Sequence, residues 1–128
     1  MKRIVIEFIP HKEQRYETVG DYWHDGDTLN IRVSDMGNDL YNELVAIHEL
    51  VEELLTRNNG ISENEIMEFD IMWDQEVKHN IHHDVDEPGY DVRSPYYNEH
   101  FFAESIERLV ANKARINWKQ YEDTVFAL

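Results

Sequence analysis

The chain has 128 residues, which fits one domain with one hydrophobic core, and 41% of them are hydrophobic, which is enough to fold. Its formal net charge of −15 argues against nucleic acid as a direct partner, because phosphate binding needs a basic surface, and favours a cation, a peptide or a basic protein. The absence of cysteine excludes disulfides, thiolate metal sites and cysteine nucleophiles. The sequence contains no apolar run long enough to predict a membrane-spanning helix.

The first third of the chain predicts a small antiparallel sheet. Residues 2–9 and 28–34 show the alternation typical of strands, and residues 15–23 are a candidate for another strand. The sequence His-Asp-Gly-Asp at 24–27 carries a turn signal between the last two. An acid and a proline interrupt the N-terminal apolar stretch too early for a signal peptide, so we expect a cytoplasmic protein.

Three to four helices are predicted in the rest of the chain. Each is preceded by residues that can cap its N-terminus, namely the stretch 34–39, Ser62, Ser94 and Asn117. Ser62 and Glu65 match a capping box, and Pro95 suits the first position of a helix. The sequence therefore predicts an α+β fold in a single domain over residues 1–128. Its sheet covers about residues 2–34 and its helical part about residues 38–128.

The stretch "AIHELVEELL" at residues 46–55 places an imidazole and a carboxylate on the apolar side of the first helix. At about 100° per residue, His48 lies in the middle of the apolar stripe and Glu52 lies one turn later on it. A buried carboxylate needs a proton, a hydrogen-bond donor or a cation. The H-E-x-x-E pair therefore predicts a metal site. Two other interpretations are an exposed pair and a structural pair, in which Glu52 bonds to His48 or to Arg108 or Arg115.

A metal ion held by this pair needs a ligand from another element, and the third helix offers two. Its predicted apolar face contains Phe102, Ala103, Ile106, Leu109 and Val110. Glu99 lies on that face, although an acid in a first helical turn also interacts favourably with the helix dipole. His100 lies nearer the polar side. We expect one of the two to complete a metal site with His48 and Glu52, and Glu49 to accept a proton from metal-bound water.

The polar stretch 78–94 predicts a long irregular loop, a feature that often has a function. In this loop His79, His82 and His83, with Asp84, form a second candidate metal site, although loop histidines are commonly solvated. Asp70, on the second helix, is a candidate for a further metal ligand or for a cap.

The strand "TLNIRVS" and the helices "NELVAIHELVEELL" and "NEHFFAESIERLVA" resemble, in their order, small zincin-like peptidases of the ImmA/IrrE type. Those proteins have an H-E-x-x-H helix after a strand, and an acid shortly before a Phe-Ala pair in a later helix. The resemblance covers residues 28–112 and implies a zincin-like arrangement. It implies His48 as the first ligand, Glu49 as the general base, and Glu99 or His100 as the third ligand.

The second ligand position holds Glu52, where that family has histidine. A carboxylate there adds negative charge at the ion and favours harder ions such as Mn²⁺, although Zn²⁺ is still accommodated. We therefore expect a Zn- or Mn-binding protein that is a metal-dependent hydrolase or a degenerate metallopeptidase. The stretch "EPGYDVRSPYYNEHFFAESIERLVA" is also similar to a group of phage-encoded proteins, which implies a source but no activity.

Two other functions are open. One is Mg²⁺-dependent nucleoside-triphosphate pyrophosphohydrolysis of the MazG type, in which glutamates of an all-α fold hold the ion; the strand-rich first third argues against it. The other is a non-catalytic acidic protein that binds a basic partner or assembles into a particle, which the charge favours.

Overall fold

The computed structural model describes residues 1–128, which form three β-strands followed by four α-helices. The strands are β1 (Arg3–Ile9), β2 (Gly20–Asp25) and β3 (Thr28–Ser34). The helices are α1 (Asp39–Asn58), α2 (Glu63–Lys78), α3 (Tyr97–Lys113) and α4 (Trp118–Phe126). The predicted α+β class, with a small N-terminal sheet and three to four helices, is confirmed. No helix has the length and apolar composition that crossing a bilayer requires.

The sheet is mixed, not wholly antiparallel as expected. β3 is the central strand, β2 pairs with it antiparallel and β1 pairs with it parallel. A two-residue turn joins β2 to β3, and Gly26 there has the φ of 59° that a tight hairpin turn favours. Residues 10–19 cross the end of β3, where His11 Nδ1 and Gln14 Nε2 lie 2.8 and 3.1 Å from Ser34 Oγ. Because of this crossing, β2 reaches the opposite edge of the sheet and β1 runs parallel to β3.

One face of the sheet packs against the helices and forms the core. Leu29, Ile31 and Val33 alternate along β3 and are fully buried. The helices complete this cluster with Leu44, Val45, Ala46, Ala111 and Tyr121. Each buried aliphatic side chain of this size contributes about 1.5–3 kcal/mol, so this contact fixes α1 against the sheet.

Side-chain caps define the starts of three helices. At the start of α1, the side chain of Asn38 accepts a hydrogen bond from the Tyr41 N–H. In the same way, Ser62 accepts from the Glu65 N–H in α2, and Asn117 accepts from the Gln120 N–H in α4. Ser94 does not cap α3 as predicted. It forms a turn in which its carbonyl accepts from the Tyr97 N–H at 3.3 Å, so the helix begins two residues later than expected.

α3 buries a different face from the one that its apolar residues predict. The buried residues are His100, Ala103, Glu107 and Ala111. Phe102 and Leu109, from the predicted face, are 52% and 63% exposed. The small alanine side chains on this face allow α3 to pack closely against α1. The imidazole of His100 and the carboxylate of Glu107 are buried on the same face. The same face carries the candidate site.

Candidate metal centre

Three side chains from two helices converge between α1 and α3. His48 and Glu52 are one turn apart on α1, and His100 lies in the first turn of α3. His48 Nε2 lies 3.2 Å from both Glu52 Oε2 and His100 Nδ1, and His100 Nδ1 lies 2.8 Å from Glu52 Oε2. All three residues are at most 7% exposed. This group, called here the His48–Glu52–His100 triad, could hold a metal ion.

A buried carboxylate sets the orientation of His48. Glu107 of α3 places Oε1 2.8 Å from His48 Nδ1, and its other oxygen accepts a hydrogen bond from the Tyr121 hydroxyl. Since a charged carboxylate can only accept, Nδ1 carries the proton in this bond. In the neutral imidazole, Nε2 then presents its lone pair to the triad. Carboxylate–histidine pairs of this kind orient imidazole ligands in metal sites.

His100 is held in place by the loop between α2 and α3. Gly89, in the 3₁₀ turn Pro88–Tyr90, packs so closely that a Cβ at this position would lie 2.5 Å from His100 Nδ1. The outer nitrogen of His100, Nε2, is buried without a hydrogen-bond partner, and Glu87 Oε2 lies 3.9 Å from it. In the tautomer that carries its proton on Nε2, His100 presents the Nδ1 lone pair to the triad, whereas a proton on Nδ1 is donated to Glu52 Oε2 at 2.8 Å.

The contacts within the triad shift two pKa values in opposite directions. Burial lowers the pKa of His48, but its hydrogen bonds to Glu107 and Glu52 outweigh this effect and raise the pKa well above the usual value. Burial raises the pKa of Glu52. The hydrogen bonds that His100 and His48 donate when the ring nitrogens facing Glu52 carry protons outweigh burial and lower this pKa to about 2. The Tyr22 hydroxyl also donates to Glu52 Oε1 at 3.1 Å. Glu52 is therefore a charged ligand group within a buried site, and a divalent cation suits it electrostatically.

Glu49 is a second buried acid beside the triad. It is 9% exposed and lies against β2, where a Cβ on Gly20 would collide with its carboxyl group. Burial raises the pKa of Glu49 well above its ordinary value, and the charge of Glu52 raises it further. Whereas Glu52 and Glu107 are held by hydrogen bonds, the Glu49 carboxyl group has no such partner and lines a cleft.

A cleft of about 630 Å³ opens beside the triad, and all three triad residues line it. α2 and α4 contribute most of its apolar side chains, and the loop between α2 and α3 contributes Glu87 and Gly89. Eleven of its 36 lining residues are Asp or Glu, whereas Lys78 is the one Lys or Arg among them. The cleft thus gives the triad access to solvent through a strongly acidic space.

Asp70 of α2 lines the same cleft but is not part of the triad. The Tyr96 hydroxyl donates to Asp70 Oδ1 at 2.6 Å. Burial raises the pKa of Asp70 to about 7, an effect larger than the opposing effect of this hydrogen bond. Because Asp70 lies in the middle of α2, it is not a cap, and its carboxylate is not among the converging ligand atoms.

Glu99, the other predicted ligand on α3, lies apart from the triad. Its carboxylate accepts a hydrogen bond from Asn59 Nδ2 at 2.8 Å, near the end of α1. The predicted alternative in which Glu52 pairs with an arginine is not observed, since Arg108 lies 3.6 Å from Glu104 instead. Glu52 contacts two imidazoles and a tyrosine.

The loop histidines do not converge on a second centre. His82 pairs with Asp84 at 3.0 Å, and both are exposed. His83 stacks on Trp73 with ring centroids 4.3 Å apart, and His79 lies 2.8 Å from the Gln75 carbonyl. Three His, Asp or Glu ligand atoms come together at the triad and at no other place in the chain.

The sequence interpretation missed the residues that support the triad. Glu107 and Tyr121 orient His48, while Gly20 and Gly89 make room for Glu49 and His100. One signal was available, because positions 100, 103, 107 and 111 follow a helical spacing and define one face. The larger apolar residues next to them defined a competing face, and these residues are exposed.

Comparison with known proteins does not assign the chain to a family. No protein-family model, curated protein or solved structure matches the chain. The geometry of the triad and the cleft is therefore the basis for a function.

Proposed function

We propose that this protein is a metal-dependent hydrolase with a zincin-like centre, in which the His48–Glu52–His100 triad binds one divalent transition-metal ion. The observation that carries the proposal is the triangle of buried ligand atoms 2.8–3.2 Å apart. With metal–ligand bonds of about 2.0–2.2 Å, such separations correspond to angles of about 80–105° at the ion. Three ligands on one side of an ion leave positions for water and substrate on the other side.

The donor set supports catalysis as well as binding. Two imidazoles and one carboxylate are the protein ligands of several zinc peptidases. In the zincin pattern one helix supplies both histidines, whereas here α1 supplies His48 and Glu52 and α3 supplies His100. With Glu99 outside the triad, the set has one carboxylate and not two. The set therefore suits Zn²⁺ at least as well as Mn²⁺, and it also matches non-haem Fe²⁺ sites.

We assign Glu49 as the general base, because its carboxyl group is unpaired and lines the cleft beside the triad. Glu49 would accept a proton from a water molecule whose oxygen bonds to the carbonyl carbon of an amide. The carbon–nitrogen bond then breaks, and Glu49 returns the proton to the leaving nitrogen. The ion would lower the pKa of the water and polarise the carbonyl group.

One observation supports the non-catalytic alternative. Phe101, Phe102 and Leu109 of α3 are 59%, 52% and 63% exposed, which is typical of a surface that contacts another protein. The pyrophosphohydrolase alternative has less support, because it expects an all-α fold and would bring a triphosphate into an acidic cleft. A protein partner whose binding is unchanged by Glu49→Gln and His48→Ala would favour the non-catalytic function.

The proposal is tested by measuring bound metal in protein purified without a His tag. We expect close to one equivalent of Zn²⁺, Mn²⁺ or Fe²⁺ per chain after loading, and a loss of affinity of at least about 100-fold in His48→Ala. His82→Ala is the matched control, since it removes an exposed histidine far from the triad. Glu49→Gln should keep the metal and lose hydrolysis.

Two results would contradict the proposal. The first is little bound metal in the wild-type protein after loading with each of the three ions. The second is equal binding by the wild-type protein and His48→Ala. Metal binding with no amidase activity on casein or on a mixed peptide library would leave the centre in place and remove the hydrolase assignment.

A further inference from the structure

Asp70 is a partly buried acid whose carboxylate contacts no lysine or arginine. Its one hydrogen bond comes from the neutral Tyr96 hydroxyl, at 2.6 Å. The neighbouring charges that act most strongly on it belong to Glu52, His100 and Asp21. Burying a charged carboxylate without a counter-charge is unfavourable, so a cation that contacts Asp70 would stabilise its charged form.

The other acids of the cleft divide into paired and unpaired groups. Arg15 donates two hydrogen bonds to Asp21, at 2.7 and 3.0 Å, and Lys78 lies 2.9 Å from Asp74. Asp70 has no such partner. The only lysine or arginine that lines the cleft is thus already engaged, and the uncompensated charge of the space is negative.

The sides of the cleft are apolar. α2 buries only Trp73 and presents Met67 and Ile71 to the cleft, at 42% and 52% exposure. From α4 and the C-terminus, Phe126 and Leu128 add further apolar surface. A ligand that fills this space therefore carries apolar groups as well as positive charge.

A second feature, separate from the acidic residues, also points to a ligand in the cleft. His100 is 7% exposed, lines the cleft, and has its Nε2 atom buried without a hydrogen-bond partner. Glu49, 9% exposed, is likewise unpaired at the cleft surface. Buried polar groups are normally satisfied, and a bound chain with backbone N–H and C=O groups can satisfy them.

We propose that the cleft binds a cationic peptide segment with apolar neighbours, and that Asp70 receives the ammonium or guanidinium group of a lysine or arginine side chain. The proposal deepens the proposed function and rests on it for the fate of the bound segment, which would be hydrolysed at the triad. Tyr96, whose hydroxyl donates to Asp70, and Tyr16, which lines the same cleft, provide aromatic surfaces that suit a cation.

The same charges discriminate against other ligands. A nucleotide or an acidic peptide would bring negative charge into a space lined by eleven acidic residues and one lysine. A neutral apolar peptide would leave Asp70 buried without its counter-charge. The cleft therefore selects for positive charge by repulsion as well as by attraction.

The test uses binding and not hydrolysis, so that its outcome is independent of the metal centre. Full-length Glu49→Gln protein is immobilised in about 0.15 M NaCl, with and without Zn²⁺, and exposed to a random decapeptide library. The retained peptides are then sequenced. We expect enrichment of lysine or arginine at one position beside leucine, phenylalanine or similar residues. For the best peptide, Asp70→Asn should weaken binding by about 10–30-fold, as expected for a buried charge pair.

Asp84→Asn is the matched control, since it removes one negative charge at an exposed position outside the cleft; it should change binding less than about twofold. Replacing the selected lysine by norleucine should weaken binding to the Glu49→Gln protein, and Asp70→Asn should then have no further effect. The proposal is overturned if no peptide is retained, if acidic or neutral peptides are retained equally, or if Asp70→Asn and Asp84→Asn have equal effects. Retention of basic peptides without metal binding would contradict the proposed function alone.

Discussion

Two glycines determine how closely the backbone approaches the side chains of the candidate centre. Gly89 lies against the ring of His100, and Gly20 lies against the carboxyl group of Glu49. Neither has a positive φ, so both are replaceable by alanine as far as the backbone is concerned. A methyl group at either position would instead move the neighbouring side chain. These positions therefore allow one functional group to be displaced at a time.

Gly89→Ala should weaken metal binding by about 10–100-fold, because the new methyl group would push His100 Nδ1 away from the other two ligand atoms. Gly20→Ala should leave metal affinity within a few-fold and reduce hydrolysis, because it displaces Glu49 only. Metal titration and a peptidase assay on the two variants measure these effects.

Gly37→Ala is the control for this pair. Gly37 has a φ of 72° and no atom within 4 Å of a Cβ, so alanine there costs about 1 kcal/mol of backbone strain without reaching the centre. It should lower stability and leave metal affinity unchanged. If Gly89→Ala loses no more affinity than Gly37→Ala, then His100 is not a ligand.

At the scale of elements, His24 links a strand to two helices. Its Nε2 lies 3.0 Å from Glu53 of α1, an ion-pair contact without the alignment of a hydrogen bond, and its Nδ1 contacts Glu63 of α2. Glu63 also accepts from the His24 backbone N–H at 2.8 Å. Since α2 buries only Trp73, this contact is a main attachment of the helix that forms one side of the cleft.

His24→Ala should destabilise the protein by about 1–3 kcal/mol, because Glu53 is 1% exposed and would keep only Arg57 as a side-chain partner. Chemical denaturation at neutral pH measures the change. Hydrogen exchange should show that α2 opens more readily than α1 in this variant.

His82→Ala, which breaks an exposed ion pair, should cost less than about 1 kcal/mol. Equal effects of the two histidine substitutions would show that the contact of His24 with Glu53 and Glu63 does not hold α2 in place.

The sequence predicts those features of the helices and strands that depend on neighbouring residues, such as most helix starts and the buried face of α1. It does not predict the features that depend on packing between elements. Helical spacing placed His48 and Glu52 on the buried side of α1, and capping residues located the starts of α1, α2 and α4. The choice between Glu99 and His100 depends on how α3 is rotated about its axis. That rotation is set by the contact of Ala103 and Ala111 with other elements, which large exposed apolar residues obscured. Likewise, the parallel pairing of β1 depends on the path of residues 10–19, which carries no local signal.

At the scale of the whole molecule, acidic charge is concentrated around the cleft. The chain has 27 Asp and Glu residues against 12 Lys and Arg, and eleven of the acids line one cavity. Like charges at this density repel one another and favour the unfolded chain, in which they lie farther apart. Salt and a specifically bound cation relieve this repulsion in different ways, so the two effects are separable.

Raising NaCl from about 10 to 200 mM should increase the thermal midpoint by several degrees and without saturation, because the Debye length falls from about 30 to below 10 Å. Choline chloride should act equally, since screening does not depend on the identity of the cation. A divalent metal should act at far lower concentration and add about 2.7 kcal/mol at 100 times its dissociation constant. His48→Ala should keep the response to salt and lose the response to metal.

A thermal midpoint that is insensitive to NaCl would show that the repulsion is already compensated in the fold. An equal metal response in His48→Ala would place the ion among the surface acids and not at the triad.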